Sequence, residues 1–347
     1  MAILSRCRHL LLAFTLMFVI TSSNGFAQGK SKVATIAFYN LENLFDTIDS
    51  PNTNDVEFLP NGTNHWTGER YETKLHHMAE VISGIGSEIV KGGPTILGVS
   101  EIENRQVLQD LIDTPPLNTL GYGIVHYDSP DRRGVDVGLL YKKASFEVIN
   151  STSNRLHMPG KLDWYTRDQL VVSGKLDGEL VHIIVNHWPS RASGPEYREE
   201  AAKLSLALSD SIRKVHPGAK IIIMGDLNDD PIDRSVYKVL GAKGKAGVVK
   251  QNDFFNPMYQ LFKDGIGSLA YRDAWNLFDQ IIISAPLLQG DGNGWKFLKA
   301  KVYNEKFLIR KDGPYAGYPL RTYAGGAYAG GYSDHFPTYI FVVKKSN

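Results

Sequence analysis

The 347-residue chain is 43% hydrophobic and 22% charged, which excludes a disordered or fibrous protein and suits one large globular domain or two small ones. Lys and Arg number 38 against 37 Asp and Glu, so a net charge of +1 gives neither the positive blanket of a general nucleic-acid binder nor an acidic tail, although a basic groove can sit inside a neutral total. The single cysteine, Cys7, excludes a disulfide framework, a cysteine-based zinc site and a CxxC redox pair.

Arg6 and Arg8 precede an apolar run over 10–20, followed by Thr21-Ser22-Ser23-Asn24 and then Gly25-Phe26-Ala27, with small residues where a signal peptidase reads. This is the layout of a secretory signal peptide over 1–27, cleaved after Ala27, with an apolar core too short for a spanning helix; an uncleaved anchor is the alternative. Cys7 lies ahead of that core and is not placed for lipid attachment. No later segment is apolar for long enough to span a bilayer, so the mature chain is expected to be secreted or periplasmic.

Along the mature chain, short apolar runs rich in β-branched residues predict strands over 33–39, 95–99, 135–141, 169–175, 180–185, 220–224, 278–284 and 337–343. Leu75, Met78, Ile82, Ile85 and Ile89 form one stripe at helical spacing, predicting a helix over 74–90. A second helix starts at Gly194-Pro195, because proline suits a first helical turn, and runs through Ala201, Leu204 and Leu208. Strands outnumber helices without strict alternation, which points to a mixed-sheet α/β domain rather than a doubly wound parallel sheet. The glycine-rich stretch over 313–331 reads as a flexible loop beside the last strand.

The chemistry lies where polar residues meet strand ends. Asn40, Glu101, His187 and Asp226 follow predicted strands, whereas Asp279 and Asp334-His335 precede them. If the two groups of strands run antiparallel, all seven residues converge on one rim. Carboxylates and amides are hard oxygen ligands for Mg²⁺, with Mn²⁺ or Ca²⁺ as alternatives. Asp226 and Asn228 are two apart and point the same way in an extended chain. Histidines beside such a cation suit proton transfer or donation to a phosphoryl oxygen, and Asp279 can fix the tautomer of one imidazole. Together these groups describe phosphoester hydrolysis. Singly, each has a structural alternative: Asn40 and Asn228 as turn caps, Glu101 as a loop acid or the start of a helix over 104–113, and His187 as a core histidine.

In this order, Asn40, Ser100-Glu101, Asn186-His187, Gly225-Asp226-Leu227-Asn228, Phe278-Asp279-Gln280-Ile281 and Ser333-Asp334-His335 resemble the endonuclease/exonuclease/phosphatase superfamily. The resemblance spans about 33–343, and the wording around the motifs looks like its secreted bacterial branch. It implies a four-layer α/β sandwich over 28–347, two mixed β-sheets face to face with helices outside. It also implies Glu101, Asn40 and Asp334 as ligands of a divalent cation, and Asp226 and Asn228 positioning the attacking water and the phosphate. His335 paired with Asp279 would act on the phosphoryl group or its nucleophile, and His187 would donate to the phosphate or the leaving oxygen; the general base stays open between Asp226 and His335. Asn186 and Arg191, on either side of His187 in the chain, are expected at the substrate, with a surface salt bridge as the alternative for Arg191. Glu42 is a doubtful extra ligand, and Asp136 is expected either behind His187 or solvated.

The expected function is an exported, Mg²⁺-dependent phosphodiesterase acting on nucleic acid. A lipid phosphodiesterase, a phosphate monoesterase and an inactive binding module are the alternatives. The site motifs supply one arginine, Arg191, and no cluster of Lys and Arg, which favours diesters over doubly ionised monoesters. Aromatic residues in predicted loops, among them Trp66, Tyr271, Trp275, Tyr315 and Tyr318, are candidates to stack on bases or to be buried in the core.

Overall fold

The computed structural model describes residues 31–345 apart from Asn52, Asp291 and Asn293. The expected signal peptide and Cys7 lie outside the described residues. In chain order the strands are β1 (Ser31–Leu44), β2 (Ile96–Ile102), β3 (Tyr122–His126), β4 (Asp136–Lys142), β5 (Phe146–Asn154), β6 (Gln169–Leu176), β7 (Glu179–His187) and β8 (Lys220–Asp226). They continue with β9 (Phe254–Phe255), β10 (Leu269–Tyr271), β11 (Ala274–Asn276), β12 (Asp279–Ser284), β13 (Lys296–Val302), β14 (Tyr323–Ala324), β15 (Ala327–Tyr328) and β16 (Thr338–Lys345). The helices are α1 (Gly68–Gly84), α2 (Arg105–Asp113), α3 (Pro195–Val215), α4 (Met258–Lys263) and α5 (Ala285–Gln289).

Two six-stranded mixed sheets result, in the orders β13-β16-β1-β2-β4-β3 and β5-β6-β7-β8-β12-β9. Burial on both faces explains why their central strands read as unbroken apolar runs. On β8, Ile222 and Met224 face the other sheet, while Ile221 and Ile223 pack with Ala201 and Ala202 of α3. Ile281 and Ile283 of β12 divide from Ile282 in the same way. Helices α1 and α2 cover the first sheet and α3 the second, giving the expected four-layer sandwich. Among the described residues no helix is long and apolar enough to cross a membrane.

All eight predicted strands are present, but β3, β5, β9 and β13 of the two sheets and the short hairpins β10–β11 and β14–β15 were not anticipated. β5 and β13 are edge strands whose exposed positions are mixed, with Ile149 and Leu298 among polar side chains, and Lys296, Lys299 and Lys301 on β13 blunt the unpaired edge. The first helix lies earlier than its apolar stripe suggested. Thr67 caps it by accepting a hydrogen bond from the Arg70 backbone, and it stops at Gly84, because Ile85 is extended and Gly86 has φ +75°. The stretch over 313–331 is built rather than loose: β14 and β15 form a short ladder, and Tyr323 packs on the buried Trp66 with ring centroids 6.2 Å apart.

Candidate active site

Strand register assembles one half of the site. β7 and β8 run parallel with His187 opposite Asp226, and β8 and β12 run antiparallel with Asp226 opposite Asp279. His187, Asp226 and Asp279 therefore form a row across three neighbouring strands of the second sheet. The first sheet supplies Asn40 from β1, Glu101 from β2 and, just before β16, Asp334 and His335. The antiparallel pairings of β8 with β12 and of β1 with β16 bring residues after some strands beside residues before others.

Backbone irregularities aim several of these groups. The β1–β2 register slips between Asn40 and Leu44, and the β2–β4 register slips between Ser100 and Ile102. The extra residues at these bulges include Glu42, Asn43 and Glu101, at φ +48°, +52° and +56°. Asn228, after β8, has φ +50°. Left-handed backbone at four non-glycine positions on one rim costs free energy, and such strain concentrates at functional sites. In return, the Asn43 backbone N–H donates to Glu101 Oε2 at 3.1 Å, and the Asn228 N–H donates to Asp226 Oδ1 at 2.9 Å.

Asp226 is the hub. Its Oδ2 accepts from Asn40 Nδ2 at 3.1 Å and lies 3.7 Å from His187 Nε2 and 3.8 Å from His335 Nε2. His187 Nε2 is also 3.8 Å from Glu101 Oε1. None of the three imidazole contacts closes to hydrogen-bond distance, so a water or phosphoryl oxygen can enter between them. His335 Nδ1 is 2.6 Å from Asp279 Oδ2, the expected pairing. Burial pushes Asp226 up to about 7, raised further by Asp279 and opposed by the charge on His335. Burial alone would lower His335, but the carboxylates of Asp279, Asp226 and Asp334 outweigh it and hold the imidazole well above its ordinary range. His187 goes the other way: burial, with Arg167 and Arg133 nearby, holds it well below that range and neutral.

A hard cation fits this donor set. Glu101 keeps about a sixth of its side chain exposed and, among the described residues, its Oε1 accepts no hydrogen bond, with Asn40 and Asp226 joined beside it. Asp226, Asp279 and His335 also offer ligand atoms within 4.8 Å of one another, but Asp279 and His335 are already engaged with each other. Asp334 stands at the rim, with Oδ2 2.7 Å from the Arg321 guanidinium and Oδ1 4.0 Å from His335 Nε2.

Three expectations are corrected. Asn186 does not face substrate: it is fully buried, its amide donates to the carbonyls of Ile184 and Met224, and its Oδ1 accepts from Trp188 and Ser205. Strand alternation turns it away from the face that His187 presents. Arg191 takes the structural alternative, lying 3.6, 3.0 and 2.7 Å from the carboxylates of Asp229, Asp230 and Asp233 and donating to the Asn228 carbonyl. It clamps the loop that carries Asn228. Asp136 is neither behind His187 nor solvated; it is buried against His126 at 3.0 Å and accepts from the Ser129 backbone.

Glu42, the doubtful extra ligand, is consumed internally: it accepts from Arg321 at 3.2 Å and from the Thr322 backbone at 2.7 Å, and lies 3.7 Å from the buried Lys74 ammonium. The structure also adds residues that sequence reasoning missed. Arg167, buried and paired with Asp131 at 3.1 Å, donates to the Trp188 carbonyl, which also accepts from Asn228 Nδ2. That shared carbonyl ties the loops after β7 and β8 together. The expected lack of an arginine cluster also fails, because Arg321 shares a cleft beside Asp334 with Arg272 and Arg310. Lys74 and Arg321 are separated from the rim motifs in sequence, and no local pattern points to them.

Residues 35–344 match the model of the Endonuclease/Exonuclease/phosphatase family. The crystal structure of TDP2 from C. elegans superposes with a TM-score of 0.56 at 17% identity, covering 89% of this chain and 75% of that one. D. rerio TDP2 complexed with single strand DNA product gives 0.53 at 14% identity, over 89% of this chain and 98% of that one. The human Nocturnin catalytic domain with bound sulfate gives 0.53 at 16%, over 91% and 97%. At these identities the likeness is one of fold. No curated protein matches the chain.

Proposed function

The chain belongs to the endonuclease/exonuclease/phosphatase family, whose members are phosphoric ester hydrolases, and from that premise we propose that it is an exported, Mg²⁺-dependent phosphodiesterase that hydrolyses nucleic acid. The observation that carries the reading is Asp226 between two histidines held in opposite charge states, with Nε2 atoms 3.7 and 3.8 Å from the same carboxylate oxygen. A structural cluster has no need of open contacts; a phosphoryl-transfer site needs room for a water and a phosphoryl oxygen among fixed donors.

In this reading Asp226 takes the proton of the attacking water, because a carboxylate raised to about 7 is a competent base near neutrality. Asn228 orients that water, its amide aimed by the bond to the Trp188 carbonyl. His335, charged and held by Asp279, donates from Nε2 to the phosphoryl oxygen as negative charge grows there. Neutral His187 donates from Nε2 to the phosphate or the leaving oxygen. Glu101, with Asn40 and Asp334, would hold the cation, which when bound supplies Lewis-acid charge to the phosphoryl group and the departing oxygen. Export rests on the signal-peptide pattern over 1–27. Nucleic acid is supported by the single strand DNA product in the D. rerio TDP2 complex.

The deciding experiment compares nicking of supercoiled plasmid with phosphate release from an aryl monoester at equal enzyme, with Mg²⁺, Mn²⁺, Ca²⁺ or chelator. Metal-restored nicking that outpaces monoester hydrolysis is expected. Faster monoester hydrolysis would overturn the substrate assignment.

A further inference from the structure

The β10–β11 hairpin and the segment over 310–325 face each other across a cleft of about 380 Å³ that reaches Asp334. Arg272, Arg310 and Arg321 line it together with Tyr271, Tyr315 and Tyr318. Arg321 is matched by Glu42 and Asp334. Among the described residues neither Arg272 nor Arg310 lies in an ion pair, and the cleft's other acid, Asp273, accepts from the Tyr318 hydroxyl at 2.7 Å. With Lys74 and Arg321 set against Glu42 and Asp334, and Arg272 and Arg310 against Asp273, the wall keeps one unmatched positive charge.

Two further features show that this wall is built. Arg272 and Asp273 form a two-residue hairpin turn with φ +49° and +62°, a left-handed conformation that glycine or asparagine adopts at lower cost than arginine. The turn is fixed from across the cleft, because the Tyr318 hydroxyl accepts from the Asp273 backbone at 2.7 Å as well as donating to its carboxylate. Two of the rings are exposed, Tyr271 at 61% and Tyr315 at 43%, each with a cleft arginine over one face, Arg272 at 5.2 Å and Arg310 at 6.0 Å from the ring centre. Guanidinium forks suit phosphate oxygens, and exposed tyrosines offer faces on which bases stack.

We propose that this cleft is a nucleotide subsite: the tyrosines take the base next to the scissile phosphate, and Arg272 and Arg310 take a second, non-reacting phosphate. Arg321, bonded to Asp334, joins the subsite to the reacting rim. The inference rests on the nucleic-acid reading above and makes it specific, in that the preferred diester carries a neighbouring phosphate.

The test is equilibrium binding in chelator of thymidine 3′,5′-bisphosphate against thymidine 5′-monophosphate, to the wild-type protein, Arg272→Ala and Arg310→Ala. One charge-assisted arginine contact is worth about tenfold in affinity. The bisphosphate should therefore bind at least about tenfold tighter to wild type, and each variant should lose most of that ratio. Turnover of bis(p-nitrophenyl) phosphate, which has no second phosphate, should stay unchanged in both variants. A wild-type ratio near one, or a ratio that survives both substitutions, overturns the subsite. An intact, arginine-dependent ratio in a protein that cleaves no diester would instead sink the nuclease reading and leave the subsite standing.

Discussion

His335 Nδ1 lies 2.6 Å from Asp279 Oδ2, and both side chains are buried. The bond leaves Nε2 as the only imidazole nitrogen able to meet a substrate, and the carboxylate keeps the ring charged. His335→Ala and His187→Ala should each lower turnover by about two or more orders of magnitude. Asp279→Asn keeps the ring but loosens its aim and charge, and should cost about ten- to a hundredfold. Steady-state rates with folding checked by circular dichroism decide this. A silent Asp279→Asn beside a crippled His335→Ala would show that the pairing does no catalytic work.

Glu101 is held in a left-handed bulge by the Asn43 backbone, with about a sixth of its side chain open to solvent. Glu101→Gln preserves volume and removes the charge that a hard cation requires. Activity should vanish with chelator, return with Mg²⁺ or Mn²⁺, and in the variant need about tenfold or more metal for half-maximal rate. Metal titrations that coincide for the two proteins would remove Glu101 from the metal site.

Much of this arrangement was readable because burial on both faces turns central strands such as β8 and β12 into apolar runs, and because polar residues at their ends mark a rim. The same alternation that places His187 at the site excludes its neighbour Asn186, a distinction the motif Asn-His hides when it is read as a unit. Three acids at Asp229, Asp230 and Asp233 were a visible sign that Arg191 had partners other than phosphate. The bulges at Glu42–Asn43 and Glu101 were not readable, since glutamate gives no sign of left-handed backbone and a single asparagine at 43 does not tell a bulge from an ordinary turn. Nor was the meeting of Lys74, Glu42 and Arg321, or of Arg272 with Arg310, because each depends on loops far apart in the chain.

Lys74 is buried, donates to Thr322 Oγ1 at 2.8 Å and to the Tyr332 carbonyl at 2.5 Å, and lies 3.7 Å from Glu42. Removing the ammonium leaves the buried Glu42 carboxylate with Arg321 as its one ion-pair partner among the described residues. Lys74→Met should cost about 3 kcal/mol, the lower end for breaking a buried ion pair. The double variant with Glu42→Gln should lose less than the sum of the single losses. Urea denaturation measures both. A single-variant loss within about 0.5 kcal/mol, as for an ordinary surface change, would show that Lys74 contributes nothing to holding the β14–β15 segment.

His182, on β7 away from the rim, accepts or donates at Nδ1 to Ser173 Oγ at 2.7 Å and stacks near His216. Burial, with a smaller push from His216, lowers its pKa to about 4. The unfolded chain takes up this proton near the ordinary histidine value of about 6.5, whereas the folded chain resists until about 4. The unfolded state therefore binds more protons in that window, and stability falls as pH drops through it. His182→Gln can keep the bond to Ser173 and cannot titrate. Between pH 7 and pH 5 its urea midpoint should fall less than that of wild type, by an amount worth about 1 kcal/mol once partial solvent screening is allowed for. Parallel midpoint-against-pH curves for the two proteins would show that His182 is not held neutral by the fold.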